Sequence, residues 1–201
     1  MCIPTLIVPG LNGSPEGHWQ QHWLRDRTDA RLVDQDNWNC PVLDEWQARL
    51  EAALDAVDEG AFIVAHSLGC VLTASLANRP SARKIKGALL VAPADLDKVE
   101  ALHPCVVSFG VKPLQTLPFP SLVIGSLNDP YMDVTDLSRH VEGWGSQLVN
   151  LGAVGHINIA SGFGRWEEGY AFADRLKHTS VPGFPARASS TSQQADRSTS
   201  L

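Results

Sequence analysis

The chain has little of what a membrane, nucleic-acid or metal protein needs. No apolar run approaches the ~18 residues required to span a bilayer. The opening segment Met1-Cys2-Ile3-Pro4-Thr5-Leu6-Ile7-Val8-Pro9 has no basic residue ahead of its short apolar stretch, which ends in Pro9-Gly10 and not at a small-residue cleavage site. It reads as a first strand, with no membrane association and a cytoplasmic location expected. Basic residues never cluster beyond Arg83-Lys84 ahead of the C-terminal segment, and the net charge of −6 argues against nucleic acid. The four cysteines, Cys2, Cys40, Cys70 and Cys105, are far apart and form no C-x-x-C, which excludes a zinc knuckle or a paired redox motif. His18 and His22 have the i,i+4 spacing of helix-borne metal ligands, but H-E-x-x-H is missing and no third ligand is evident. No metal or other cofactor is expected.

What is present is a chain of 201 residues with 44% hydrophobic content, enough for one well-buried domain. Strand-like runs fall at 5–8, 31–33, 62–65, 85–92, 121–125 and 147–151, with helix-spaced apolar residues between most of them. That alternation predicts a mainly parallel sheet with helices on both faces. In such sheets ligands bind beyond the carboxyl ends of the strands. Large apolar residues all but vanish after Phe184, and Ser, Thr, Gln, Pro and Arg take over. Residues 1–178 are therefore assigned to the domain and 179–201 to a disordered Ser/Thr-rich tail.

The sharpest feature is Phe62-Ile63-Val64-Ala65-His66-Ser67-Leu68-Gly69, an apolar strand that stops at a serine and turns into a helix predicted over 68–78. This is the arrangement of a nucleophile elbow, in which small flanking residues let backbone segments approach while the serine takes a strained conformation. Ala65 replaces the first glycine of G-x-S-x-G and Gly69 keeps the second. Earlier in the chain, Pro9-Gly10-Leu11-Asn12-Gly13-Ser14-Pro15 follows the first strand and leads into a helix with Ser14 as expected N-cap and Pro15 at its first position. It lacks both G-x-G-x-x-G and a P-loop lysine, so phosphate binding is disfavoured. For acyl transfer it would supply an oxyanion donor, the amide of Leu11 or of Asn12, beside the amide of Leu68.

Three further loops matter. His18, close to the glycine loop, is a candidate to line the site, and Trp38, alone on the polar loop 34–41, is a candidate wall of a substrate pocket, as is Asn12. Asp95 and Asp129 each follow a buried strand, and His156 follows the last one. Asp129 is preferred as the acid because its turn before Pro130 lies one strand from the histidine loop, whereas Asp95 opens an excursion over 96–119 expected to be irregular. Ser67, Asp129 and His156 also occur in the chain order of an α/β-hydrolase triad.

Taken together, Val8-Pro9-Gly10, His18-Trp19 with Trp23, Gln35-Asp36-Asn37-Trp38, Ala65-His66-Ser67-Leu68-Gly69-Cys70, Asn128-Asp129-Pro130-Tyr131, Gly155-His156-Ile157-Asn158 and Ser161-Gly162-Phe163-Gly164 resemble the small retinoblastoma-binding protein nine and YdeN-like serine hydrolases. The resemblance covers nearly all of residues 4–178. It implies a three-layer α/β-hydrolase fold with a minimal six-stranded sheet, and a triad falling on Ser67, Asp129 and His156. The expectation is a serine hydrolase acting on small carboxylic esters, with amides and thioesters as variants. The alternative is an interaction protein on a hydrolase scaffold with little turnover. A protein partner is not readable from the sequence.

Overall fold

A computed structural model describes residues 3–104, 107–110 and 112–179. Six strands, β1 (Thr5–Val8), β2 (Ala30–Leu32), β3 (Ala61–His66), β4 (Ile85–Val91), β5 (Ser121–Gly125) and β6 (Gln147–Asn150), form one sheet in the order β2-β1-β3-β4-β5-β6. Every neighbouring pair is parallel. Six helices pack on it: α1 (Trp19–Asp26), α2 (Leu43–Asp55), α3 (Leu68–Ser75), α4 (Leu96–Leu102), α5 (Val134–Trp144) and α6 (Glu167–Thr179).

Strand side chains alternate between two cores, as the two-residue period of a pleated strand requires. Leu6, Val8, Ile63, Ala65, Leu90 and Val123 meet Trp46, Leu50 and Leu54 of α2, the whole inner side of α3, and Leu137 and Trp144 of α5. Ile7, Val64, Leu89, Val91 and Ile124 meet Trp19 and Trp23 of α1 and Phe172, Ala173 and Leu176 of α6. Three layers result, with β3 and β4 buried on both faces. The central strands lie within a residue or so of the runs read from sequence, because continuous apolar runs are what a doubly covered strand needs.

Helix boundaries moved where backbone geometry overrides pattern. The first helix does not start at Ser14-Pro15: Gly17 has φ +86, a left-handed conformation that no right-handed helix accommodates, so α1 starts at Trp19 with His18 in the cap position. The Ser14 hydroxyl bonds the Gln20 side chain instead. α3 closes at Ser75 and not near 78, ahead of Arg79, whose extended backbone (φ −97, ψ 150) is what the following Pro80 demands. The segment after Asp95, expected to be irregular, opens with α4, whose short apolar stripe of Leu96 and Val99 gives almost no periodic signal. α6 runs through Thr179, one residue past the compositional boundary; the tail 180–201 lies outside the described residues.

The sheet reverses its winding between β1 and β3, and the two loops that leave those strands there come into contact. A Cβ on Gly69 would stand 2.3 Å from the Val8 carbonyl oxygen and 2.6 Å from that of Pro9, and a Cβ on Gly10 would stand 2.7 Å from the Ser67 Cβ. Rigid backbone cannot yield as a side-chain tip can. Gly69→Ala is therefore expected to destabilise the protein by roughly 1–3 kcal/mol through overpacking, read as a lower midpoint in urea unfolding.

Candidate active site

Ser67 joins β3 to α3 with φ 55 and ψ −122, a region a serine enters only under constraint. Strain of this type costs on the order of 1–3 kcal/mol, and the flanking β-strand pairing and helix packing must offset it. The strain aims the hydroxyl upward, beyond the strand ends. There the Ser67 Oγ lies 2.9 Å from His156 Nε2, and His156 Nδ1 lies 2.8 Å and 2.9 Å from the two carboxylate oxygens of Asp129. An ionised carboxylate only accepts, so Nδ1 carries the proton and Nε2 is left to accept from the serine. Asp129 also accepts the Tyr131 amide at 2.9 Å. All three side chains are nearly buried, with relative exposures of 8% for Ser67, 7% for Asp129 and 6% for His156.

The loops that carry acid and histidine are tied to each other. The Asn128 Oδ1 accepts the Gly155 amide at 2.7 Å, the Ser126 hydroxyl accepts the Val154 amide at 3.1 Å, and the Leu127 amide donates to the Gly152 carbonyl at 2.8 Å. Asp95, the rival acid, is spent elsewhere. It accepts the Asp97 and Lys98 amides at the start of α4 and the Lys112 ammonium at 2.7 Å. Burial opposes its ionisation, but the Lys112 bond and those amides outweigh it and hold the carboxyl below its usual value.

Behind the serine, the amides of Leu11 and Leu68 have no hydrogen-bond partner among the described residues, while the Asn12 amide donates to the Trp38 carbonyl at 2.9 Å. Of the two donors considered in the glycine loop, Leu11 is thus the free one. Leu11, Asn12, Gly13, Pro15, His18, His66, Leu68, Val99, His103, Tyr131, Asn158, Ile159 and Ala160 line a cleft of about 330 Å³ above Ser67 and His156. Trp38 is not a wall of this cleft. Its ring packs edge-on against Trp46, centroids 5.6 Å apart, and covers the back of Gly13, so it supports the glycine loop from behind.

Sequence reading missed Pro15, His66, Val99, His103, Tyr131, Asn158, Ile159 and Ala160 as lining residues. Tyr131 stands two positions after the acid, and its ring lies 4.6 Å from that of His156 while its hydroxyl lies 3.0 Å from His103 Nε2. His18 does line the cleft, and its Nδ1 accepts the Gln20 amide at 3.2 Å as the N-cap of α1, which assigns the proton to Nε2. No group of three His, Cys, Asp or Glu side chains among the described residues could hold a metal ion. No described helix is long and apolar enough to cross a membrane.

A serine hydrolase family model matches residues 5–175, and the chain belongs to that family. It is similar in structure to a YdeN-like hydrolase from Pectobacterium atrosepticum, at 29% identity over 90% of this chain and 93% of the other, with a TM-score of 0.78. The YdeN protein of B. subtilis matches at 20% identity over 87% and 98% of the two chains, TM-score 0.69. Esterase 2 of Thermogutta terrifontis, in a form phosphonylated by cyclosarin, shares the fold at 13% identity, TM-score 0.64, over 88% and 83%. No curated protein sequence matches. The fold is that of the α/β-hydrolases, and the likenesses support the YdeN-like side of the sequence resemblance without bearing on its retinoblastoma-binding side.

Burial, with the neighbouring His156 adding to it, lowers the pKa of His18 to about 4 from an ordinary 6.5. Unfolded chains therefore bind the extra proton between those values while the native state does not, so stability is full above 6.5 and falls as pH drops toward 4. The shift corresponds to about 3 kcal/mol. His18→Asn, which keeps a capping acceptor, should flatten this acid-side decline in melting temperature; an unchanged decline would show that His18 does not drive it.

Proposed function

We propose that the chain hydrolyses small, uncharged carboxylic esters through an acyl-enzyme on Ser67. The observation that carries this reading is the unbroken series of hydrogen bonds from Ser67 through His156 to Asp129, opening on a cleft whose described lining residues include no Asp, Glu, Lys or Arg. A cleft without fixed charge offers nothing to pair with a carboxylate, phosphate or ammonium on the substrate, and desolvating such a group there is costly. The volume of about 330 Å³ suits a short acyl chain with a modest leaving group. Amides and thioesters share the same first step.

In this mechanism the Ser67 Oγ attacks the substrate carbonyl carbon as His156 Nε2 takes the hydroxyl proton. The carbonyl oxygen becomes an oxyanion and accepts from the Leu11 and Leu68 amides, each worth roughly 3–4 kcal/mol when well aligned. The imidazolium is stabilised by the Asp129 carboxylate and returns the proton to the departing alkoxide. Water, deprotonated by the same imidazole, then attacks the acyl-serine carbonyl, and the imidazolium returns that proton to Ser67 Oγ as the acyl–oxygen bond breaks and the acid leaves.

A fluorophosphonate probe is expected to label the protein and to fail on Ser67→Ala; persistent labelling of that variant would remove Ser67 from its role. Asp129→Asn should lower kcat by about 10⁴, whereas Asp95→Asn should cost stability at α4 and leave kcat within a few-fold. Equal losses in the two variants would overturn the choice of acid. Across p-nitrophenyl esters, acetate and butyrate should outpace octanoate, and a hemisuccinate should be turned over poorly; a preference for the charged acyl group would contradict the reading of the cleft.

A further inference from the structure

Two buried donors have no part in the steps above. Strand β3 ends in His66, whose ring lies 4.8 Å from that of His156, and whose Nε2 stands 3.0 Å from the His156 main-chain carbonyl oxygen. A carbonyl only accepts, so His66 Nε2 carries a proton and donates. The next carbonyl along, that of Ile157, accepts the indole N–H of Trp19 at 2.8 Å. Trp19 and His66 also pack edge to face, centroids 5.8 Å apart and planes at 89°. Consecutive carbonyls of the histidine loop are thus gripped from α1 and from the strand that carries Ser67.

The grip coincides with strain. Ile157 is fully buried and has φ 48, a conformation that a β-branched residue avoids. Left to itself the residue would relax to negative φ and carry the adjoining His156 with it. A displacement of about 1 Å at a reacting group can cost on the order of 10²-fold in rate.

We propose that His66 and Trp19 are positioning residues that clamp the His156 and Ile157 carbonyls and thereby hold the His156 imidazole at bonding distance from Ser67. The proposal rests on the reading of Ser67 and His156 as the reacting pair. Burial keeps His66 neutral, with its pKa well below the ordinary value, so it places no second positive charge beside the imidazolium. Its ring also borders the cleft, but the role assigned to it is exerted through the His156 main-chain carbonyl.

The test uses the full chain with p-nitrophenyl acetate, a fluorophosphonate probe, and the downfield N–H proton resonance of the His156–Asp129 pair. His66→Phe should lower kcat and the labelling rate about 10- to 100-fold with KM changed less than roughly two-fold, and should shift or broaden the resonance. His66→Gln, which retains an N–H donor, should recover most of the loss. Trp19→Phe keeps the aromatic packing and should show the same signature in milder form; it carries the test if His66→Phe does not fold. Normal kcat and an unmoved resonance in either folded Phe variant would overturn the clamp, as would a loss confined to KM or no recovery in His66→Gln. An inactive, unlabelled wild-type protein would instead refute the functional reading, while the resonance would still report whether the clamp sets the His156 ring.

Discussion

Everything above the sheet depends on how closely the turn after β1 approaches the turn after β3. The approach is permitted by Gly10 and Gly69, whose missing side chains leave room for the Ser67 Cβ and for the Val8 and Pro9 carbonyls. Leu11 and Leu68, one from each turn, both line the cleft above Ser67, and α3 starts at Leu68. Support comes from behind: the Trp38 carbonyl holds the Asn12 amide, and Trp38 leans on Trp46, a fully buried residue of α2. A contact between two main chains is thereby transmitted into the apolar core on one face of the sheet. The histidine loop draws on the other face, where Trp19 belongs to the core between β-sheet, α1 and α6.

Three of the four histidines that line the cleft, His18, His66 and His156, stand ring to ring, and each is distinguished by what it bonds. His18 uses Nδ1 to accept a helix amide, His66 uses Nε2 to donate to a carbonyl, and His156 alone faces a carboxylate. Burial disfavours the charged form of the first two, and the neighbouring His156 deepens the effect for both. In the proposed reaction the imidazole that becomes cationic is the one with Asp129 behind it. A second cation within a ring diameter would compete for the same carboxylate and oppose proton transfer from Ser67.

How much of this was legible in the sequence follows from the range of the forces involved. Burial on both faces writes itself into a strand as a continuous apolar run, so β1, β3, β4 and β5 were readable within a residue or two, and with them the loops that hold Ser67, Asp129 and His156. Pattern misled where backbone conformation or a partner on another element decided: Ser14-Pro15 is a good helix start, but the left-handed Gly17 breaks the turn that would follow. Trp38 on a polar loop looked like a pocket wall because its partner, Trp46, lies on another element. Val99, His103 and Tyr131 reach the cleft through the path of α4 and the acid loop, and no periodicity encodes that.

The two aspartates make the limit concrete. Asp95 and Asp129 both follow buried strands, on neighbouring β4 and β5, and the Asp95 amide even donates to the Tyr131 carbonyl at 2.8 Å, so the loops touch. Position within the sheet barely separates them; what does is the supply of donors. Asp95 receives two helix amides and the Lys112 ammonium, which leaves it charged, satisfied and turned toward α4. Asp129 receives one amide, from Tyr131, and retains capacity on both oxygens for the His156 N–H. A carboxylate that already accepts three hydrogen bonds, one of them from an ammonium, can cap a helix but has little left to orient an imidazole. The proposed choice of Asp129 as the acid therefore rests on lone pairs, which chain order does not encode and the folded loops display.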